Sequence, residues 1–469
     1  MRDTRKLLAL ALAALLVAGG AAAQVDLSRY VALGDSLTAA YASDGLAQLY
    51  QDHSFPAILA GQFGISGFQQ PIISNPGIPA VLELKQLVVA NGQVVPVIAR
   101  KSGQGQPTNA TLPTPYNNLG IPGANTNDLL TKKGNINNIL TGQINPATLM
   151  YDLILRDNTT TAVQQAIGLQ GTIYTVWAGN NDVLGAAVYA VAIDGVTLTP
   201  AATFQQQYTT LIGAIRQYRP NATIVVGTIP DVAAIPFTTT VAPYIYTPQG
   251  QKVYLLGEAG PLTDNDRVTL GASALIQQGY GIPGTGKLLP EGSFSPTTGL
   301  TPGVILRGAE LGAIATRVGE LNAVIRSVAA ATAATVVDFN AIYDDVLQNG
   351  YRVGGVTLTG AFLTGGIFSY DGVHPQILGN AVIANEFVKA INAAYGTEVP
   401  LVNLRPYLTA GAATTSVVAA QAIFTHEAYQ QLLRTLFPEI KLASPTVIRP
   451  VQRRVTGSGR PSVGGITNP

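Results

Sequence analysis

Short apolar segments separated by longer amphipathic ones are the feature that most narrows the folds open to this chain. Helical periodicity is typical of the longer segments, such as Phe204–Tyr218 and Leu311–Ala331. Four short segments are rich in Val, Ile, Thr and aromatic residues, as buried strands are: Tyr30–Leu33, Thr172–Trp177, Thr223–Gly227 and Thr335–Phe339. This alternation predicts an α/β fold, a three-layer α/β/α sandwich with a mostly parallel central sheet. Ligands of such sheets bind at the carboxyl ends of the strands.

Two stretches rich in Gly and Pro, near residues 67–117 and 240–303, interrupt the alternation and are predicted to be insertions. The first contains Leu84–Leu87 and Val94–Val97 on either side of Asn91-Gly92, which predicts a hairpin with a tight turn. The second is predicted to lie at the surface beside the functional site.

The α/β domain is expected to cover residues 24–400, followed by a C-terminal extension over residues 401–469. Within the extension, the pattern predicts a helix over Ser416–Leu436. From Pro445 onward Arg, Gly, Ser and Pro dominate, which predicts a disordered tail.

The N-terminus predicts export. Three basic residues precede an apolar run from Leu7 to Val17, and residues 21–23 form an Ala-Ala-Ala cleavage signal. This pattern is typical of a secretory signal peptide over residues 1–23, and its apolar run is too short to span a bilayer. We therefore expect a periplasmic or secreted protein. The sequence has no cysteine and no later apolar run of about 18 residues, so it predicts neither disulfides nor a transmembrane helix.

The composition excludes several classes of partner. The chain is 47% hydrophobic and only 11% charged, with a formal net charge of +1. No run of Lys and Arg offers a phosphate-binding surface, so nucleic acid is not an expected partner.

The first chemical motif follows the first predicted strand, where Gly34-Asp35-Ser36-Leu37 leads into a helix. Glycine permits a tight turn, and Ser36 would then lie near a helix N-terminus, where backbone N–H groups favour developing negative charge. Two interpretations stay open for this segment alone: Ser36 is a nucleophile, or it is an ordinary helix cap.

A serine nucleophile needs a base, and the base needs an orienting group. Of the three histidines, His53 and His426 are predicted to be ordinary surface or packing residues. His374 lies in Asp371-Gly372-Val373-His374-Pro375, a turn that precedes an apolar helical segment. Asp371 is three residues before His374, so its carboxylate could reach one ring nitrogen while the other faces Ser36.

Acyl transfer also needs hydrogen-bond donors for an oxyanion. Asn118-Leu119-Gly120-Ile121-Pro122-Gly123 is interpreted as a turn whose glycines let backbone N–H groups approach a ligand. Gly179-Asn180-Asn181-Asp182 follows an apolar strand and places amide side chains at its carboxyl end. Each segment is also typical of an ordinary turn.

Taken in order, the four segments resemble the sequence blocks of the SGNH (GDSL) hydrolase family. The resemblance covers about residues 28–398 and implies the sandwich fold already described. It implies Ser36 as nucleophile, His374 as base and Asp371 as its partner. It also implies an oxyanion hole formed by the backbone N–H groups of Ser36 and Gly123 with the side-chain amide of Asn181. The insertions and the C-terminal extension depart from minimal family members, which leaves the substrate open.

Competing motifs are weaker. Gly281–Lys287 fits a phosphate-binding G-x-x-x-x-G-K pattern, but Leu288 replaces the metal-binding Ser or Thr. His426-Glu427 is not followed by a second His at zinc-protease spacing, and the chain has no His/Cys cluster. Asp344-Asp345 is predicted to be part of a solvated helix face. No metal and no cofactor are therefore expected.

The sequence predicts a serine ester hydrolase of lipase or esterase type whose partner is a small-molecule or lipid ester. Two alternatives stay open: a polysaccharide deacetylase on the same fold, and a non-catalytic binding or surface protein that retains the scaffold.

Overall fold

The computed structural model describes residues 25–90, 93–411 and 422–443. The predicted signal peptide, the Asn91-Gly92 turn and the predicted tail from Pro445 lie outside this part of the chain. No described helix has the length and apolar content needed to cross a membrane.

The centre of the fold is a five-stranded sheet in which all neighbouring strands are parallel. From one edge to the other, its strands are Thr335–Val337, Thr223–Gly227, Ile173–Trp177, Tyr30–Gly34 and Asn118–Gly120. The remaining strands form small sheets, mostly antiparallel: Leu82–Ala90, Gln93–Arg100, Tyr244–Tyr246, Lys252–Tyr254, Leu256–Gly257, Gly260–Pro261, Arg267–Val268, Ser293–Ser295, Gly299–Thr301, Ile305–Leu306, Tyr351–Val353, Val356–Leu358 and Ile423–Phe424.

Helices follow most of the central strands and cover the sheet. The described α-helices are Ser36–Ala39, Gln48–Gln51, Phe55–Gln62, Thr126–Thr131, Ile136–Leu140, Leu149–Ile154, Ala162–Gly168, Asn181–Tyr189, Ala201–Tyr218, Pro236–Thr239, Ser273–Gln277, Gly308–Ala331, Phe339–Asn349, Ile377–Tyr395, Arg405–Gly411 and His426–Leu436. A 3₁₀ helix spans Leu270–Ala272.

Alternate residues of each strand point to opposite faces, so the sheet has a hydrophobic core on each side. In the strand Tyr30–Gly34, Val31 and Leu33 join the larger core, whereas Tyr30 and Ala32 join the smaller one. Phe387 of the helix Ile377–Tyr395 belongs to the smaller core. The two cores confirm the predicted three-layer α/β/α sandwich.

Several predicted boundaries were wrong. The last central strand ends at Val337, because Asp338 accepts a hydrogen bond from the Ala341 N–H (3.3 Å) and caps a helix that begins at Phe339. The segment Asn118–Gly120, interpreted as part of a turn, is an edge strand that pairs with Ala32–Gly34.

The predicted hairpin is confirmed in Leu82–Ala90 and Gln93–Arg100, which pair antiparallel. In the C-terminal extension the predicted helix is confirmed only for His426–Leu436. The prediction was wrong for Ile423–Phe424, a strand that pairs in parallel with Val97–Ile98 of the hairpin, and residues 412–421 lie outside the described chain.

Candidate active site

Ser36 lies at the carboxyl end of a central strand, as the motif predicts. The strand ends at Gly34, Asp35 caps the next helix by accepting the Leu37 N–H (3.0 Å), and Ser36 is the first helical residue. The backbone must pass very close to its neighbours here. A Cβ atom on Gly34 would lie 2.3 Å from Thr38 Oγ1 and 2.4 Å from the Trp177 carbonyl oxygen, so only glycine fits.

The structure brings Ser36, His374 and Asp371 into one hydrogen-bonded chain. His374 Nε2 lies 2.9 Å from Ser36 Oγ, and His374 Nδ1 lies 2.9 Å from Asp371 Oδ2. All three side chains are buried. Pro375 lies just before the following helix, which begins at Ile377.

Backbone and side-chain donors surround the Asp371 carboxylate. Its Oδ1 accepts the N–H groups of Val373 and His374 (2.8 Å each) and the Ser369 hydroxyl (3.0 Å), and its Oδ2 accepts the Asp44 N–H (2.9 Å). Burial acts to raise the pKa of Asp371. His374 and the two neighbouring N–H groups outweigh burial, so the pKa lies below its ordinary value. Asp371 therefore stays ionised beside the imidazole.

The loop after Ser36 supports this chain, a role that the sequence analysis missed. The Tyr41 ring packs edge-on against the His374 imidazole, with 5.0 Å between ring centroids. The Tyr41 hydroxyl donates to Asp44 Oδ1 (2.7 Å), and the Arg100 guanidinium forms an ion pair with Asp44 Oδ2. Arg100 comes from the hairpin of the first insertion, so an element remote in sequence braces the loop.

The two predicted oxyanion segments lie side by side. Asn181 Nδ2 donates to the Ala124 carbonyl (2.9 Å), which leaves its second amide hydrogen without a protein acceptor among the described residues. Gly123 has φ +82°, a left-handed conformation that favours glycine. In the described part of the chain, the backbone N–H groups of Ser36 and Gly123 donate to no protein acceptor. No hydrogen bond joins Gly123 or Asn181 directly to Ser36.

Asn180 is a further residue that sequence reasoning did not separate from its neighbour Asn181. Its Nδ2 donates to Asp35 Oδ2 (2.8 Å), which ties the third motif to the turn that carries Ser36. Burial raises the pKa of Asp35 to about 6, although the bonds from Asn180 and Leu37 act in the opposite direction. Asn180 thus joins these two motifs by a direct hydrogen bond.

An apolar cleft opens beside Ser36 and His374. It has a volume of about 130 Å³ and is bounded largely by the helices Phe339–Asn349 and Ile377–Tyr395. The apolar side chains that line it include Leu37, Leu184, Ile342, Val346, Phe368, Val382 and Ile383.

The other sequence candidates lie apart from this site. His53 Nδ1 lies 3.1 Å from the Leu49 carbonyl oxygen and its ring packs against Tyr407, while His426 Nε2 contacts Gln430. Lys287 of the G-x-x-x-x-G-K pattern donates to the Gln278 carbonyl (2.8 Å). These contacts agree with the packing roles expected for the two histidines.

A parallel sheet with a serine at the carboxyl end of one strand, hydrogen-bonded to a buried histidine and through it to a buried aspartate, has the architecture of a serine hydrolase. The model of the GDSL-like Lipase/Acylhydrolase family matches residues 30–387, and the chain belongs to this family. Family membership confirms the resemblance found in the sequence and implies hydrolase activity.

The chain is also similar to solved structures. One is an extracellular lipase from Streptomyces rimosus, at 15% identity and TM-score 0.30, covering 78% of this chain and 99% of that one. Another is an α/β hydrolase enzyme from the metagenome of Lake Arreo, at 14% identity and TM-score 0.32, covering 77% and 94%. Comparison with curated protein sequences gives no significant match.

Proposed function

We propose that the chain is a serine carboxylic ester hydrolase in which Ser36 is the nucleophile, His374 the general base and Asp371 the partner that orients His374. The continuous chain of 2.9 Å contacts from Ser36 Oγ through the imidazole to the Asp371 carboxylate is the observation that carries this proposal. Nucleophile, base and orienting group at hydrogen-bond distance are what acyl transfer through a serine requires.

In the proposed reaction, Ser36 Oγ attacks the acyl carbonyl carbon while His374 Nε2 takes the hydroxyl proton. The tetrahedral intermediate collapses when the protonated imidazole gives this proton to the leaving alcohol oxygen, which breaks the ester bond. Water then attacks the acyl-serine with His374 again as base, and the carboxylic acid leaves. Asp371 stabilises the imidazolium form and holds the ring by its Nδ1 hydrogen.

The oxyanion of the intermediate would be stabilised by the N–H groups of Ser36 and Gly123 and by the free amide hydrogen of Asn181. The absence of protein acceptors for the two backbone groups within the described chain supports this assignment. Preorganised donors of this kind stabilise charge that develops only in the transition state.

Acyl esters are the proposed substrates because the cleft at Ser36 is almost entirely apolar. Burial of methylene groups there is favourable by about 0.8 kcal/mol each. A polysaccharide deacetylase removes only an acetyl group and does not need such a cleft. Export through the N-terminal signal peptide is part of the proposal, and N-terminal sequencing of the mature protein tests it.

The test is hydrolysis of p-nitrophenyl acetate, butyrate and octanoate by the purified chain and its variants. Ser36→Ala and His374→Ala are expected to lower kcat by about 10⁴-fold or more, while the matched controls Ser102→Ala and His53→Ala keep it. Turnover of acetate esters alone would favour the deacetylase, and no turnover of any ester would favour a binding protein. Near-native activity of Ser36→Ala would refute the nucleophile assignment.

A further inference from the structure

A second cavity lies on the other side of the helix Asn181–Tyr189 from the apolar cleft. Asn180 and Leu184 line the cleft at Ser36, whereas Asn181, Asp182 and Gly185 line the second cavity, whose volume is about 280 Å³. Gly123 also lines the second cavity. The two proposed oxyanion residues beyond Ser36 therefore border this cavity.

The wall of the second cavity is about half polar, whereas the wall of the cleft is almost entirely apolar. Amide, hydroxyl and carboxyl side chains line it: Asn125, Asn127, Asp128, Asn181, Asp182, Thr197, Thr199, Thr203, Gln207 and Glu439. Three buried acceptors among them, Asn181 Oδ1, Asp182 Oδ1 and Gln207 Oε1, have no hydrogen-bond partner among the described residues. Buried acceptors without partners are rare and costly, so they indicate that a ligand or solvent supplies donors here.

The charges in this cavity favour a neutral donor over an ion. The carboxyl groups of Asp128, Asp182 and Glu439 line the cavity and disfavour an anion, and Glu439 is already paired with Lys132. Burial raises the pKa of Asp128 to about 6, which lowers its negative charge near that pH. The described residues contain no group of three or more potential metal ligands. Hydroxyl groups, which donate and accept, match the mixture of amides and threonine hydroxyls best.

The C-terminal extension completes the wall. Phe437, Pro438, Glu439 and Ile440 line the cavity. A Cβ atom on Gly123 would lie 2.4 Å from the Leu436 carbonyl oxygen, so the end of the helix His426–Leu436 packs directly against Gly123. The extension thus contributes to the surroundings of the proposed oxyanion site.

We propose that this polar cavity binds the alcohol part of the ester, and that this part is a polyol such as glycerol or a sugar. The acyl chain would occupy the apolar cleft beside Asn180. The scissile carbonyl would lie at the start of the helix Asn181–Tyr189, between the two cavities. The substrates would be amphipathic esters of one acyl chain with a polyhydroxylated alcohol. This inference rests on the proposed ester hydrolase function.

Three octanoate esters with different alcohols test the inference: methyl octanoate, 1-monooctanoyl glycerol and 6-octanoyl glucose. The wild-type chain is expected to have a higher kcat/KM for at least one polyol ester than for the methyl ester, and the preferred polyol identifies glycerol or a sugar. In Gln207→Leu, the ratio of polyol to methyl kcat/KM is expected to fall about tenfold, as for one lost hydrogen bond, mostly through KM.

The matched control is Gln206→Leu, an exposed position on the same helix, which is expected to keep the wild-type ratio. Thr203→Val, which removes a hydroxyl from the same wall, provides a second variant and is expected to lower the ratio. An unchanged ratio in both Gln207→Leu and Thr203→Val, or a wild-type chain that prefers the methyl ester, would overturn the inference. Failure of the ester hydrolase proposal is distinct, because none of the three esters would then be hydrolysed.

Discussion

The buried ion pair between Arg100 and Asp44 is expected to stabilise the fold around the Asp371–His374 pair. Arg100→Met removes the guanidinium and keeps much of the side-chain length. Asp44 is fully buried, and its N–H donates to Asp371 Oδ2. Removing one partner of a buried pair typically costs roughly 3–5 kcal/mol of unfolding free energy.

The loss of unfolding free energy in Arg100→Met depends on pH, because burial raises the pKa of Asp44 to about 6 even with Arg100 present. At pH 8 the carboxylate is ionised in the wild-type chain, and Arg100→Met must either bury an unpaired charge or protonate it. At pH 5 most of the carboxyl is already protonated, so little charge is left to compensate. We expect the full loss at pH 8 and a clearly smaller loss at pH 5.

Urea unfolding followed by fluorescence measures both values, since Trp177 is the single tryptophan of the chain and is buried. Arg352→Met, at an exposed strand position, is the matched control and should change stability little. Adding Asp44→Asn to Arg100→Met should restore part of the loss at pH 8, because the uncompensated charge is gone. A loss below about 1 kcal/mol at pH 8, or the same loss at both pH values, would show that the ion pair does not stabilise the fold in this way.

Three further predictions concern the oxyanion donor, the cleft and the pH dependence of stability. Asn181→Ala should lower kcat by about 10²–10³ with little change in KM; a lower melting temperature with kcat nearly unchanged would return Asn181 to a structural role. Val346→Phe should shift the preference among p-nitrophenyl esters toward shorter acyl chains, and an unchanged ratio of octanoate to butyrate turnover would place the acyl chain elsewhere. The carboxyls of Asp35, Asp44 and Asp128 have pKa values raised from 3.8 to about 6. Between these values the folded chain binds more protons at them than the unfolded chain, so their contribution to stability should fall as pH rises through this window. Urea unfolding of the wild-type chain at pH 5 and pH 7 measures this change in unfolding free energy. A higher unfolding free energy at pH 7 would contradict the prediction.

Local patterns predicted those parts of the molecule that local interactions determine. The central strands were predicted because a buried parallel strand is a short apolar run. The contact between Asp371 and His374 was predicted because the two residues are only three positions apart, with a glycine between them. Asn118–Gly120 was missed as a strand because its edge position depends on pairing with Ala32–Gly34, and a three-residue segment carries little pattern of its own.

The supporting contacts of the site could not be predicted for the same reason. Arg100 reaches Asp44 only because the hairpin of the first insertion folds back against the loop after Ser36, and no spacing in the sequence records that approach. Packing of Leu436 against Gly123 likewise depends on the path of the C-terminal extension. The predicted helix over Ser416–Leu436 began too early in the sequence, because Ile423–Phe424 forms a strand on the edge of the hairpin. Strand pairing there is more favourable than extension of a marginal helix.

Covalent labelling tests directly whether Ser36 is the nucleophile. A fluorophosphonate reacts with an activated serine and leaves a stable adduct that peptide mass spectrometry can locate. We expect one adduct per chain, on Ser36, that forms in parallel with the loss of esterase activity. The adduct should be absent in Ser36→Ala and should form much more slowly in His374→Ala. An adduct on another serine, or full esterase activity in a chain that carries the Ser36 adduct, would show that Ser36 is not the nucleophile.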